Sequence, residues 1–226
     1  MEIAQVVAAR EVSLAMVAEE FGLRRSDEAD FFGEWRDNLA ELSGEEERAI
    51  AQVKADYLHF SHHDIQKSVA KLVVLAPILK LVGLYSPPFH FVVDEKFELD
   101  VENDGFSNLG RINILAFHPR LWLTILEAKH TRYSLAIGIP QTLFSMMETS
   151  KLGETVFGLV SNGREFQFLK LVKTEAPTYA LSYTLCLNRE DDLQRVVQIL
   201  KTLSQLVTEG GVDSGSDDLS QTSKAA

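Results

Sequence analysis

Apolar residues recur at helical spacing through residues 1–22, where Ile3, Val6, Val7, Leu14 and Val17 stand among acids, and the pattern stops at Gly22. Asp30-Phe31-Phe32-Gly33-Glu34-Trp35 then sets three aromatics in an acidic loop, a pattern that predicts an arm anchored onto a core. Ser43-Gly44-Glu45-Glu46 reads as a capping box and opens a helix to about residue 60. His62 and His63 interrupt it, but adjacent residues on a helix point in different directions, and no other ligand cluster is spaced to help them hold a metal. Asp64 is placed to cap the next helix, which runs to about residue 82 with a kink or early end at Pro77. Its predicted core side is Val69, Leu72, Val73, Ala76 and Leu79.

After the extended turn at Ser86-Pro87-Pro88 the period changes to two. Residues 89–93 and 96–101 suggest either a hairpin or one long bent strand, with Glu98, Asp100, Glu102 and Asp104 alternating along it. Residues 111–128 read as two strands joined at His118-Pro119-Arg120. In the second strand Leu121, Leu123 and Ile125 alternate with Trp122, Thr124 and Leu126, so it is apolar on both faces and belongs in the middle of a covered sheet. Pro140 starts a helix to about residue 147 with Ile139, Leu143, Met146 and Met147 as its core face, and Gln141 lies off that stripe. Residues 156–161 form a strand, and Asn162-Gly163 signals a type I′ hairpin into residues 165–172. A strand near 179–187 and a helix over 191–206 follow, before a Gly-, Ser- and Asp-rich tail expected to be disordered.

This order divides the chain into an acidic helical arm (1–50), a core domain (51–207) and a tail (208–226). With 226 residues, 46% of them hydrophobic, the chain can bury one sizeable core. The single cysteine, Cys186, lies in an apolar run and reads as a small hydrophobe. With no signal-peptide pattern and no apolar run of spanning length, the expectation is a cytoplasmic protein that does not enter membranes. The net charge of −11 looks wrong for a nucleic-acid binder until it is located. Residues 1–50 hold 13 acids against 5 bases, residues 209–226 hold 4 against 1, and the remainder balances at 16 and 16. A neutral core leaves room for a local basic groove but supplies no broad attracting field.

The candidate chemistry sits at the end of the central strand, where Glu127 and Lys129 are two residues apart and so share a face. A salt bridge closing the strand is the plain reading of that pair. Asn113 in the preceding strand adds a polar group that a hairpin can bring beside Glu127. On the long helix Asp64, Lys67 and Lys71 fall on roughly one face, where the two lysines can meet either phosphate or solvent.

Glu127-Ala128-Lys129, preceded by Gly110-Arg111-Ile112-Asn113 and followed by Gln141, resembles the PD-(D/E)xK nuclease superfamily. Residues 31–206 are also similar to cyanobacterial restriction-endonuclease-like proteins and to the R subunit of type I restriction enzymes, in wording such as Ala70-Lys71-Leu72-Val73-Val74-Leu75 and Phe157-Gly158-Leu159-Val160-Ser161-Asn162-Gly163. The resemblance implies an α/β, restriction-endonuclease-like αβββαβ core with a mixed central sheet flanked by helices. It implies a Mg²⁺- or Mn²⁺-dependent endonuclease acting on DNA as a homodimer. Asn113, Glu127 and the Ala128 carbonyl would then hold the metal, Lys129 would serve the attacking water, and Gln141 would orient water or phosphate. Two departures stand out: Asn113 occupies the place of the usual first aspartate, and Ser145 the place of a tyrosine found in some relatives. The Asn113 departure also implies an alternative, a catalytically silent nuclease-fold module for nucleic-acid binding or assembly. Glu102 or Asp104 is a further candidate for the missing acid.

Overall fold

A computed structural model describes residues 12–61, 71–90, 92–103, 106–127 and 135–209 of the chain. The described chain begins with α1 (Leu14–Phe21), capped by the Ser13 hydroxyl, which accepts from the Met16 amide at 3.2 Å, and ends at Gly22 as its pattern predicted. The two-residue strand β1 (Arg24–Arg25) follows. The aromatic loop does anchor the arm: Phe32 is buried and stacks on Phe157 at 6.1 Å, while Trp35 meets Tyr183 edge-on at 4.6 Å.

Helix α2 (Gly44–Ser61) opens with the predicted capping box. The Glu46 amide donates to the Ser43 hydroxyl at 3.2 Å, and the Glu46 carboxylate accepts from the Ser43 amide at 2.7 Å. The next described stretch is a π-helical turn, Lys71–Leu75, that passes into α3 (Ala76–Leu81). Pro77 explains the turn, because it has no amide to donate and its ring crowds the carbonyl four residues back, so the preceding helix widens. Widening also rotates the buried stripe. Val74, Leu75, Ile78 and Leu79 are buried whereas Leu72 is 71% exposed, which corrects the predicted core side at Leu72.

The strands are β2 (Val92–Asn103), β3 (Phe106–His118) and β4 (Leu121–Glu127). Residues 92–103 are thus one long strand, with a register shift between Val93 and Glu95. A 3₁₀ turn, Leu135–Ile137, runs into α4 (Gly138–Thr149). β5 (Thr155–Ser161) and β6 (Glu165–Val172) form the predicted hairpin, but not with a type I′ turn. Gly163 takes φ of 85° while Asn162 stays at negative φ. The Asn162 side chain accepts from the amides of Arg164 and Glu165 at 3.0 and 2.8 Å and closes the turn itself. The predicted strand over 179–187 splits into β7 (Thr178–Leu181) and β8 (Leu185–Cys186), and α5 (Asp192–Glu209) closes the described chain.

The sheet is mixed and open, in the order β1-β7-β6-β5-β4-β3-β2, with β8 pairing on β6. β4 runs parallel to β5, and β1 parallel to β7; the other pairs are antiparallel. Two cores cover its faces, one built with α2, α3 and α5, the other with α1 and α4. β4 feeds both: Leu121, Leu123 and Ile125 belong to the first, Trp122 and Leu126 to the second. The central, doubly covered strand read from residues 121–126 is therefore present.

Candidate functional site

Three β-strands and one helix meet where β4 ends. β3 pairs antiparallel with β4 so that Arg111 stands opposite Glu127, and Asn113 opposite Ile125. Asn113 is thus diagonal to Glu127, a relation that spans about 7–8 Å between Cα atoms and is within reach of long side chains. On the other side β4 runs parallel to β5, with Ile125 opposite Ser161. Glu127 consequently lies where the sheet changes from antiparallel to parallel pairing, at the carboxyl end of a strand, the place where open α/β sheets put their ligand crevices.

The start of α4 leans over this end. A Cβ added to Gly138 would lie 2.8 Å from Leu126 and 3.0 Å from Val160, so only glycine lets the helix approach β4 and β5 this closely. Ile137, at the cap position, makes no side-chain capping bond. Packing holds the helix instead: Leu143 and Met146 are fully buried, each contributing about 1.5–3 kcal/mol, more than the ~1 kcal/mol of a typical cap. Thr142 ties α4 to the strand, its hydroxyl 2.7 Å from that of Thr124 and donating to the Gly138 carbonyl at 2.6 Å.

Gln141 corrects its predicted place off the core stripe. It is buried at 3% exposure because α4 is covered nearly all round, with α1 on the side away from the sheet, where Phe21 meets Phe144 at 5.4 Å. Its Oε1 has no hydrogen-bond partner among the described residues. A buried acceptor without a partner costs roughly 1–3 kcal/mol, so one turn into α4 the chain carries an unmet polar group.

Of the other predicted site residues, Lys71 begins the π turn, while Lys67, Asp64, Ala128 and Lys129 lie outside the described residues. Asp104 also lies outside them, and so do His62 and His63. Glu102 pairs with Ser107, four residues along β3 from Arg111, or about 13 Å at strand rise, which removes it as a stand-in acid for the Glu127 end. The register brings a different acid there. Glu98 pairs with Arg111, so Glu98, Arg111 and Glu127 form one row across β2, β3 and β4. The sequence offers Glu98 as one of four alternating acids, and only the register of the β2–β3 pair selects it. Among the described residues no group of three or more His, Cys, Asp or Glu is placed to hold a metal ion. No helix among them is long and apolar enough to cross a membrane.

Compared with protein-family models and with curated proteins, the chain matches none.

Proposed function

We propose that the carboxyl end of β4 is a phosphodiester site of restriction-endonuclease type, acting on DNA with Mg²⁺ or Mn²⁺, within a core of the αβββαβ kind. The observation that carries this reading is the register that sets Asn113 diagonal to Glu127 at the point where the sheet changes pairing, beneath the start of α4. Asn113, Glu127 and the Ala128 carbonyl offer oxygen donors only, which suits a hard divalent cation, although one carboxylate in place of two lowers the affinity. Bound there, Mg²⁺ would offset charge on the phosphate and lower the pKa of a water. Glu127 would orient that water, Lys129 would take up or hold its proton, and Gln141 would donate from its amide to water or phosphate. Lys67 and Lys71 would meet flanking phosphates, and two copies acting together would cut both strands.

Cleavage of plasmid and oligonucleotide DNA with Mn²⁺ tests it. Glu127→Ala and Lys129→Ala are each expected to abolish cleavage, and Asn113→Asp to raise it at least tenfold. Cleavage that survives the double change Glu127→Ala with Lys129→Ala would place the activity elsewhere.

One observation favours a second reading, a catalytically silent module that binds nucleic acid. Arg111 stands directly between Glu98 and Glu127 in register, and a cation there competes with a metal for the carboxylate. Under this reading Asn113→Asp raises no cleavage, and Arg111→Ala weakens DNA binding.

A further inference from the structure

A second polar site lies on the face covered by α5. Ile125, Ser161, Phe166 and Leu185 lie in one register row across β4, β5, β6 and β8, so β8 stands three strand spacings, about 14 Å, from β4. Beyond β8 the Cys186 amide donates to the Asp192 carboxylate at 2.8 Å, at the start of α5. There Arg36, Arg189, Arg195, Glu190, Asp191 and Gln194 are among the residues that line a cleft of about 360 Å³. That volume is at the lower end of small-molecule sites.

The three arginines are not equivalent. Arg36 pairs with Asp30 at 2.7 Å and with Asp37 at 3.2 Å, and Arg189 lies 3.5 Å from Asp192. Arg195 forms no ion pair among the described residues, although Glu190 and Asp191 line the same cleft, and its buried Nε has no acceptor. Two aromatic rings hold it instead, with its guanidinium carbon 5.6 Å from the centre of Trp35 and 5.8 Å from that of Tyr183. Trp35 and Tyr183 meet edge-on at 89°, so the Arg195 guanidinium carbon lies near both rings at once. The buried Nε is closed to a ligand, so a phosphate or carboxylate group in the cleft would meet the outer Nη atoms of this planar guanidinium, which is held by aromatics and carries no anion among the described residues. Glu190 and Asp191 add a second requirement, because an extended polyanion would meet them as like charges, whereas a ligand that also carries hydroxyl or amino donors would bond to them.

We propose that this cleft binds a phosphate monoester whose organic part carries hydrogen-bond donors, a nucleoside monophosphate in size and chemistry, with its phosphate on Arg195. The site is separate from Glu127 and does not rest on the nuclease reading. Trp35 lies against Arg195 and supplies the signal. Adenosine 5′-monophosphate, adenosine and inorganic phosphate are titrated into the full chain, followed by tryptophan emission and by calorimetry. The monophosphate is expected to bind and to change emission, inorganic phosphate to bind at least tenfold more weakly, and adenosine to bind at least tenfold more weakly again. Arg195→Gln weakens the monophosphate at least tenfold. Arg195→Lys, which keeps the charge over both rings, also weakens it several-fold because the planar fork is gone. Glu190→Gln with Asp191→Asn preserves inorganic phosphate binding and reduces the preference for the nucleotide. Glu127→Ala changes none of these values. Absence of monophosphate binding, or binding unaltered in both Arg195 variants, overturns the proposal; equal affinity for inorganic phosphate overturns its nucleoside half.

Discussion

Helices α2 and α4 begin in opposite ways. At α2 the exposed amides are met locally, by Ser43 and Glu46 on each other, and Glu46 is held again by Lys201 at 2.7 Å. At α4 the cap position is Ile137, the first residue is a glycine wedged against Leu126 and Val160, and a buried glutamine is left with an open acceptor. One end is complete in itself, and the other is held by apolar packing and by the Thr142–Thr124 contact one turn further on. A helix end whose polar groups are already spent can only stabilise; one fixed by its apolar neighbours keeps polar groups for another partner, beside the end of β4.

Substitutions that exchange these properties test the contrast, and the largest effect is expected at Gly138. Gly138→Val drives a branched side chain into Leu126 and Val160 and should cost about 3 kcal/mol or more in denaturant unfolding, since overpacking typically costs about 1–3 kcal/mol even where neighbours can yield. Thr142→Val strands the Thr124 hydroxyl in the core and should cost about 1–3 kcal/mol in the same measurement. Ser43→Ala removes one half of the capping box at a cost of about 1 kcal/mol. The other half depends on pH. Hydrogen bonds from Lys201, and then from the Ser43 amide, hold the Glu46 carboxyl below the usual carboxylate range. Its contribution is therefore complete above the unfolded-state value and fades as pH falls through the lower folded value. Glu46→Gln should accordingly destabilise the protein at pH 7, and by progressively less as pH falls below the usual carboxylate range. Gln141→Leu should change stability least, or raise it slightly, because it removes an acceptor that has no partner. A loss above about 2 kcal/mol there would mean that the amide is structural and the contrast with α2 fails.

The legible parts of the sequence are those whose signal is local. The Ser43 box, the end of α1 at Gly22 and the double apolar alternation of β4 each depend on residues a few positions apart, and each is present. The order helix, three strands, helix, strands, helix is present too. The rest depends on packing between elements, or on a break in helical phase whose effect on the buried side the spacing does not show. A helical wheel puts Gln141 outside because it sees one partner surface, whereas α4 lies between the sheet and α1. The spacing puts Leu72 inside only for a helix of regular phase, and next to Pro77 the helix widens into a π turn. At the candidate site, the hairpin that joins Asn113 to Glu127 was readable from residues 111–127. Glu98 was not, since its place opposite Arg111 depends on a strand pairing that no spacing in the sequence specifies.

The most direct test of the site at the end of β4 is titration calorimetry of Mg²⁺ and Mn²⁺ into the native protein, Asn113→Asp and Glu127→Ala. Binding in the native chain, tighter in Asn113→Asp and lost in Glu127→Ala, is the predicted result. No binding in either the native chain or Asn113→Asp would contradict it and leave Glu127 as the closing member of a cross-strand charge row.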